Sequence, residues 1–538
     1  MTKQSFLKGA AILTLAGISV RFVGAFFRIV LAMFIGDEGI GLFQMAYPVY
    51  STLLAVSTAG VPIAISKLVA ENLARGNYRG AYRTFRVALS ILALSGFLIS
   101  AVLYLGAEYF AGFLTDPLAY LPLVSISPAI FLVTVMSAYR GFFQGQQQMM
   151  PTAISQIAEQ LGRVVIALLL VLFLLPMGLE YAAAGASFGA AAGAFCGLLI
   201  LVVVWLRQKK QFMHRLKSQR VKDEENIRAI IYRIFALSVP ITLGSLVMPL
   251  ITLVDLSIVP QQLNAAGFDT IRARALYGQL TGMASPIIHI PTIITVALAI
   301  SLVPAMSEAL ALRKNNLVRE RSYLAVRMTL LLGIPSAVGL YLLAEPITVL
   351  LFNNAEAGQV LAVLSLGVVF LTLYQTTSAI LQGLGRTMDP VITLFWGALI
   401  KTGLTWYLTA SPQLHIRGAA LATVIGFGIA AILNVQRVQR LADMPLRPVE
   451  TLLKPLVASV GMAAAVLSIY SNFDLLHSFL SPSAAEKGVT LVAVIVGALA
   501  YALLLFLLGG IRREDLLLLP KIGEPLVRWA EKFHLLRG

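Results

Sequence analysis

Fourteen stretches of mostly apolar residues follow one another along the 538-residue chain, and short polar gaps separate them. Each stretch reaches the roughly 20 residues that an α-helix needs to cross the hydrocarbon core of a bilayer. Backbone in hydrocarbon must satisfy its own hydrogen bonds, and a helix does so within one segment. The pattern therefore predicts an all-α polytopic membrane protein with 14 transmembrane helices, at residues 6–34, 41–70, 85–107, 119–142, 152–176, 181–206, 230–259, 275–309, 322–344, 358–383, 390–410, 417–435, 452–471 and 488–510.

Charges of one sign occupy every second gap between these spans. Basic residues cluster at 75–86, 207–222, 313–321 and 437–454, whereas the other gaps contain Asp37, Glu38, Glu108, Asp116, Glu180, Glu345, Glu356 and Asp474. Lysine and arginine are enriched in the cytoplasmic loops of membrane proteins. The alternation therefore predicts that both termini face the cytoplasm.

Composition supports this class of protein and excludes others. The mean hydropathy is +0.85, 58% of the residues are hydrophobic and only 12% are charged, whereas a soluble domain carries about twice that charge. The net charge of +16 lies in short loops between spans, so it indicates membrane orientation rather than nucleic-acid binding. Cys196 is the single cysteine, which excludes an intramolecular disulfide and a metal site built on cysteines.

An internal repeat divides the chain. The matching segments are 71–74 with 308–311, 103–108 with 340–345, and 144–145 with 382–383, at offsets of 237, 237 and 238 (308 − 71, 340 − 103 and 382 − 144). An even number of spans separates the copies, so both copies run in the same direction. The repeat predicts two parallel six-helix bundles.

We therefore expect an N-terminal bundle at 1–206, a basic cytoplasmic linker at 207–229 and a C-terminal bundle at 230–440. Residues 441–510 contain two further spans, and residues 511–538 form either an amphipathic helix on the inner membrane surface or a frayed tail. Two like-oriented bundles can rock against each other and open their cleft to either side in turn. This alternating access is typical of a transporter.

Ionisable residues inside predicted spans are costly and are therefore functional candidates. The candidates are Arg21, Arg28, Lys67, Glu159, Arg163, Asp255 and Lys401, together with Arg272 and Arg274 at the start of the eighth predicted span. Arg21 and Arg28 are seven residues apart, close to two helical turns, and so share one face. A cavity lined by unpaired cations attracts an anion, and the guanidinium fork binds phosphate in a bidentate manner. These two arginines and Lys67 predict a phosphate-bearing substrate, unless they snorkel to the membrane interface.

Other candidates have structural alternatives. Glu159 and Arg163 are four residues apart and can pair along one helix face, either as a structural lock or as part of a substrate site. Asp255 could bind a coupling cation or pair with a neighbouring basic group. Pro286 and Pro291 interrupt the eighth predicted span, which indicates either a moving part or the ordinary abundance of proline in membrane helices.

Several of these positions resemble a known family. The matching stretches run from Arg140 to Gly145 and from Pro151 to Arg163, and the matching single positions are Arg21, Lys67, Asp255 and Lys401. They resemble the polysaccharide-type branch of the multidrug/oligosaccharidyl-lipid/polysaccharide (MOP) exporter superfamily, and within it the SpoVB/YtgP group, which is similar to the lipid II flippase MurJ. The resemblance covers essentially the whole chain and implies a MATE/MurJ-like fold.

The resemblance also implies a task. Members of this group are flippases for lipid II, the undecaprenyl-pyrophosphate-linked peptidoglycan precursor, which they move from the inner to the outer leaflet for cell-wall synthesis. It implies that Arg21 and Lys67 hold the pyrophosphate, while Arg28 is added from helical spacing alone. Arg272 and Arg274 would substitute, from the outer end, for an arginine that MurJ-type proteins carry within helix 8.

A coupling ion is a further implication. Some relatives have a sodium site to which helix 7 contributes, and Asp255 matches that contribution. Lys401 places a cation in helix 11, which argues against sodium, and this lysine could instead pair with Asp255. We therefore expect no cofactor other than a coupling cation, Na⁺ or H⁺.

The remaining expectations concern location and rival functions. We expect a monomer in the bacterial cytoplasmic membrane, without enzymatic activity and without a nucleic-acid partner. The alternatives are an exporter of another polyprenyl-linked oligosaccharide (a teichoic-acid, capsule or spore-wall precursor), a MATE-type drug exporter, and a glycosyltransferase that uses Asp37 and Glu38. A drug exporter would favour an acidic cavity, and such an enzyme would need larger outer loops.

Overall fold

Every element of the computed structural model is helical over the residues it describes, which are 6–58, 60–218, 225–445, 447–471 and 482–510. Side chains are described from residue 12 in the first helix and from residue 487 in the last. The all-α prediction is confirmed. The predicted amphipathic tail at 511–538 and part of the predicted linker, 219–224, lie outside the described residues.

The chain forms two compact units, Met1–Gly282 and Met283–Gly538. The helices of the first unit are α1 (Phe6–Thr58), α2 (Val61–Ala74), α3 (Tyr78–Leu105), α4 (Ala107–Phe113), α5 (Tyr120–Gly145), α6 (Met149–Leu174), α7 (Leu179–Ser218), α8 (Ile227–Ala265) and α9 (Thr270–Gly278). Those of the second are α10 (Ser285–Ile288), α11 (Thr292–Ala311), α12 (Asn315–Leu342), α13 (Ala344–Phe352), α14 (Glu356–Ser365), α15 (Gly367–Gly383), α16 (Asp389–Thr409), α17 (His415–Ala442), α18 (Lys454–Ser471) and α19 (Pro482–Leu507). The division falls beyond the predicted linker because α8 and α9 pack against α1. The repeat-based domain bounds stay a prediction.

The described helices account for 12 membrane spans by length and composition, or 13 if the bent pair α14 and α15 counts as one span. Residues Ile12–Ala74 form one apolar stretch of 63 residues, in which sequence analysis places two spans. Gly36 interrupts α1 there, with a φ of 66° and a ψ of −170°. Glycine suits this conformation because it has no Cβ. The exact number of 14 spans stays a prediction.

The internal repeat is visible in the hydrogen bonds that end equivalent helices. After α2, the backbone amides of Arg75, Gly76 and Asn77 donate to the carbonyl oxygens of Glu71, Leu73 and Asn72. After α11, the amides of Leu312, Arg313 and Lys314 donate to those of Glu308, Leu310 and Ala309. Every donor and acceptor is shifted by 237 residues (312 − 75). The predicted repeat is therefore present in the local structure of both units.

Two predicted spans are broken helices. The span at 275–309 consists of α9, a π-helical turn at Gln279–Ala284, α10 and α11. Pro286 lies in the first turn of α10 and Pro291 immediately precedes α11, and proline has no amide hydrogen with which to continue a helix. The span at 41–70 is interrupted between α1 and α2. Hydropathy detects the apolar content of such segments but not their breaks.

Glycines of α7 allow it to approach α6 closely. A Cβ atom at Gly189 would lie 2.9 Å from the carbonyl oxygen of Arg163, and one at Gly193 would overlap the carbonyl oxygen of Glu159. Gly197 lies against Ser155 in the same way, at 3.0 Å. Small residues are typical where membrane helices pack through their backbones. This stripe therefore fixes the part of α6 that carries Glu159 and Arg163.

We expect Gly193→Ala to lower the melting temperature of the purified protein, because the added methyl group overlaps backbone and overpacking costs about 1–3 kcal/mol. Gly244→Ala in α8 is the matched control, since a Cβ atom there meets nothing within 4 Å. Alanine favours a helix over glycine, so the control should be neutral or slightly stabilised. Thermal unfolding in detergent measures both variants, and equal melting temperatures would contradict the close packing of α6 and α7.

Candidate functional site

The carboxylate of Glu159 on α6 lies between two arginines. Nη2 of Arg140, near the end of α5, is 2.8 Å from Oε2 of Glu159 and 3.0 Å from Oγ of Ser155. Nη2 of Arg163, one turn further along α6, is 3.6 Å from Oε1 of Glu159. The three charged side chains are only 15–19% exposed. The pairing of Glu159 with Arg163 that the sequence predicts is present, but Arg140 makes the shorter contact.

Two tyrosines of α1 extend this group. The hydroxyl groups of Tyr47 and Tyr50 lie close to the guanidinium group of Arg163. The guanidinium carbon of Arg28 lies 5.6 Å from the centre of the Tyr47 ring, which is a cation–π contact. We call Arg28, Arg140, Arg163 and Glu159 the arginine cluster; it contains three cations and one anion.

Two buried donors of the arginine cluster have no partner within the described part of the chain. They are the Nε atoms of Arg140 and Arg163. Buried donors in proteins are nearly always hydrogen-bonded, and an unmet one costs about 1–3 kcal/mol. The cluster therefore has both the net positive charge and the donors that an oxygen-rich anion would satisfy.

Arg21 and Lys67 are exposed and form no hydrogen bond or ion pair with any other described residue. Gly24, which lies between Arg21 and Arg28 on α1, packs towards α6, because a Cβ atom there would be 3.3 Å from Nε2 of Gln160. Residues at spacings of three and four share this helix face. Of the predicted phosphate ligands, the structure thus brings Arg28 and Arg163 together, and Arg21 lies on the same face of α1 as Arg28.

Arg274 on α9 is held by two carboxylates. Its Nε and Nη2 atoms lie 2.5 and 2.8 Å from the two oxygens of Asp116, and its Nη1 atom lies 2.8 Å from Oε1 of Glu38. The side chains of Arg274 and Asp116 are 3% and 1% exposed. We call these three residues the outer ion pair. Sequence analysis assigned Arg274 to the substrate, whereas in this conformation its donors are occupied by protein. Arg272 is exposed, and its backbone amide is capped by Asp269.

A second group of charges joins α8 to α2. Nη2 of Arg233 lies 2.6 Å from Oε2 of Glu71, and its Nη1 lies 2.5 Å from Oε1 of Glu225. These side chains are about one third exposed. We call them the inner ion pair, because Glu71 precedes the basic gap at 75–86 that is predicted to be cytoplasmic.

The remaining candidates do not assemble a metal centre. Over the described residues, no group of three or more His, Cys, Asp or Glu side chains could hold a metal ion. Asp255 lies on α8 near Tyr277. Lys401 lies on the face of α16 that packs against α17. A Cβ atom added at Gly426 on α17 would be 2.8 Å from the Cβ atom of Lys401. A coupling cation at Asp255 therefore stays a prediction.

Sequence analysis did not identify three residues of this site, which are Arg140, Tyr47 and Tyr50. Arg140 is 19 residues from Glu159 and on another helix, so only the packing of α5 and α6 brings them together. Two sequence signals mark Arg140, because it lies inside the predicted span 119–142 and at the start of the family-like stretch that ends at Gly145. The tyrosines have no comparable signal, because aromatic residues are common in membrane spans.

Comparisons with known proteins identify the family. The family model described as "Polysaccharide biosynthesis protein" matches residues 6–310, and the one described as "MatE" matches residues 280–407. The chain is 32% identical to Stage V sporulation protein B of Bacillus subtilis (strain 168), over 98% of this chain and 100% of the relative. It is 27% identical to the lipid II flippase MurJ of the same organism, over 94% of this chain and 95% of the relative. A solved structure of lipid II flippase MurJ in an inward closed conformation matches with a TM-score of 0.67 at 18% identity, covering 92% of this chain and 98% of that chain.

These matches confirm the resemblance and the MATE/MurJ-like fold. The activities that the names of matched proteins state are those of flippases and transporters rather than enzymes, so the expectation of a non-enzymatic membrane protein is confirmed. The chain belongs to the family described as "Polysaccharide biosynthesis protein".

Proposed function

We propose that the protein is a flippase that moves a polyprenyl-pyrophosphate-linked peptidoglycan precursor, lipid II, from the inner to the outer leaflet. The arginine cluster carries the proposal, because it contains three guanidinium groups and a single carboxylate that pairs with two of them, and because two buried Nε donors lack a partner in the described part of the chain. A pyrophosphate supplies both negative charge and acceptor oxygens in the geometry that arginine prefers. We place the protein as a monomer in the bacterial cytoplasmic membrane, with both termini in the cytoplasm.

The mechanism follows from the charge of the cluster. The polar head group enters from the cytoplasm while the polyprenyl tail stays in hydrocarbon. The pyrophosphate then neutralises guanidinium groups that otherwise repel one another. The membrane potential, negative inside, favours outward movement of the anionic head by about 2.3 kcal/mol per charge per 100 mV. No step depends on a coupling cation, and Asp255 remains the candidate for one.

We infer that two ion pairs within the first unit take part in the alternation. In this proposal the outer ion pair separates when the protein opens outward, and the inner ion pair separates when it opens inward. A buried ion pair is costly to break while its partners stay desolvated. We infer that the outer ion pair, which is the more deeply buried, stabilises a conformation closed to the outside.

A precursor needed in sporulation is the second candidate substrate. The relative named Stage V sporulation protein B is more similar to this chain, at 32% identity, than the relative named lipid II flippase MurJ, at 27%. Such a precursor would carry the same lipid-linked phosphate group. The arginine cluster suits both substrates, so the flipping assay below should be run with each lipid.

Arg163→Gln should reduce lipid II flipping at least tenfold in liposomes. A hydrogen bond to a charged group contributes about 1.5–3 kcal/mol, and 1.4 kcal/mol corresponds to a factor of ten. The fold should persist, because Glu159 keeps its 2.8 Å contact with Arg140. Arg437→Gln is the matched control, since it removes an arginine that pairs with Asp389 at 3.1 Å outside the cluster. Normal flipping by Arg163→Gln, or an equal loss in both variants, would contradict the role of the cluster.

The outer ion pair can be tested with a double-mutant cycle. Arg274→Gln should destabilise the protein by about 3–5 kcal/mol, because it leaves the buried Asp116 without its main partner. Asp116→Asn should also destabilise, whereas the double variant should regain much of the loss, since neither charge is then stranded. Melting temperatures of all four proteins in detergent measure the coupling. Strictly additive losses would show that the two side chains do not depend on each other.

A further inference from the structure

A cavity of about 270 Å³, lined by both apolar and polar residues, lies at one end of the first unit and includes none of the arginine-cluster residues. Its walls are the turn between α2 and α3, the turn between α5 and α6, and the C-terminal part of α7. These segments belong to the basic gaps or lie beside them, so the positive-inside rule places this end of the unit in the cytoplasm. The cavity is slightly smaller than the roughly 300–1,000 Å³ of typical small-molecule sites.

Five glutamines contribute most of the polar side chains that line this cavity, which we call the glutamine cavity. Its glutamines are Gln146, Gln147, Gln148, Gln208 and Gln211, and Arg215 is the one charged residue that lines it. An amide both donates and accepts hydrogen bonds. The lining therefore suits a ligand with many neutral groups that also donate and accept, rather than a multiply charged one.

Two buried aromatic side chains also line the glutamine cavity, and we call them its aromatic floor. Trp205 and Phe212 are 6% and 7% exposed, and their ring centres are 5.8 Å apart. Trp205 also packs edge-on against Phe142 at 5.2 Å. Apolar rings beneath a few convergent polar groups are the usual construction of a small-molecule site.

The internal repeat supplies a comparison for the turn at Gln146–Gln148. In that turn the amides of Gln146, Gln147 and Gln148 donate to the carbonyl oxygens of Phe142, Gln144 and Phe143. In the turn after α15 the amides of Leu384, Gly385 and Arg386 donate to those of Ile380, Gln382 and Leu381, each 238 residues later (385 − 147). The backbone is the same, yet the side chains differ.

At Gln147 this difference in side chain introduces backbone strain. Its φ is 58°, and the equivalent Gly385 has a φ of 79°. Glycine adopts this left-handed conformation without strain, whereas a residue with a Cβ does not. The neighbouring Gln146, which replaces an apolar Leu384, has a buried Nε2 donor without a partner in the described part of the chain. The turn itself requires neither glutamine. We therefore take their presence as evidence that this cavity binds a ligand.

We propose that the glutamine cavity binds a saccharide bearing hydroxyl and acetamido groups, as a cytoplasmic docking site for the head group before it enters the membrane. Hydroxyl and amide groups pair with the glutamine amides, and the apolar face of a sugar ring fits the aromatic floor. The assignment to a lipid-linked head group rests on the proposed function, whereas saccharide binding itself does not.

Equilibrium dialysis of the full-length protein in detergent tests this with radiolabelled N-acetylglucosamine disaccharide. The variant Gln146→Leu/Gln147→Gly introduces the residues of the second repeat into the first. We expect at least tenfold weaker binding and an unchanged or higher melting temperature, because glycine relieves the strained turn. Lys209→Ala is the matched control, as this exposed neighbour on α7 is not among the residues that line the cavity.

The outcomes separate this site from the flippase proposal. Saturable binding that is lost in the double variant and kept in Lys209→Ala supports the glutamine cavity. No saturable binding, equal binding by all three proteins, or binding only of inorganic phosphate or anionic-lipid vesicles overturns it. Lipid II flipping without disaccharide binding rejects the cavity and leaves the proposed function standing. Disaccharide binding without flipping of either lipid supports the cavity and rejects the proposed function. A lower melting temperature of the double variant with unchanged binding assigns the glutamines to the fold.

Discussion

The cost of holding a cation among membrane helices is the constraint on which the first unit depends. Glu159 compensates the positive charge only in part, because it is one carboxylate between two arginines. Its position follows from the backbone contact of α6 with α7, in which Gly193 lies directly on the carbonyl oxygen of Glu159. A small-residue stripe that lacks any charge thus determines where the charges meet. The remaining positive charge and the unmet Nε donors are what the fold leaves for a ligand.

In the two ion pairs, by contrast, carboxylates compensate the charge of the buried or partly buried arginine. Arg274 has carboxylates on each of its donor nitrogens and is almost fully buried, so it is compensated rather than available. Arg233 bridges Glu71 and Glu225 with more exposure, where water can replace a lost partner at lower cost. The first unit therefore combines an under-compensated cluster with well-compensated pairs. That difference separates a candidate binding site from candidate gates more clearly than position along the chain does.

Sequence alone predicts much of this architecture but little of the side-chain pairing. Apolar runs and alternating loop charge indicate the spans, and Glu159 and Arg163 are recognisable because a spacing of four residues places them on one helix face. Arg140 and Tyr47 join them only through packing between helices, which no local spacing encodes. Arg274 looks like a free cation in the sequence because Asp116 lies 158 residues away. The π-helical turn at Gln279–Ala284 is equally invisible, since its sequence contains neither a charged residue nor a proline that would mark a break.

The repeat shows that the charges are an addition to the fold rather than a requirement of it. At an offset of 238, the position of Arg140 corresponds to Ser378 (378 − 140). There Nδ2 of Asn434 donates to Ser378 at 3.1 Å, and Thr393 donates to Oδ1 of Asn434 at 2.7 Å. This neutral network joins α15, α16 and α17 and satisfies its own hydrogen bonds. In the first unit, α5 and α6 are the repeat equivalents of α15 and α16. They could be joined by such a network without any desolvated charge. Arginines with unmet donors are therefore unfavourable for folding alone, and the anion that we propose as their ligand would account for their presence.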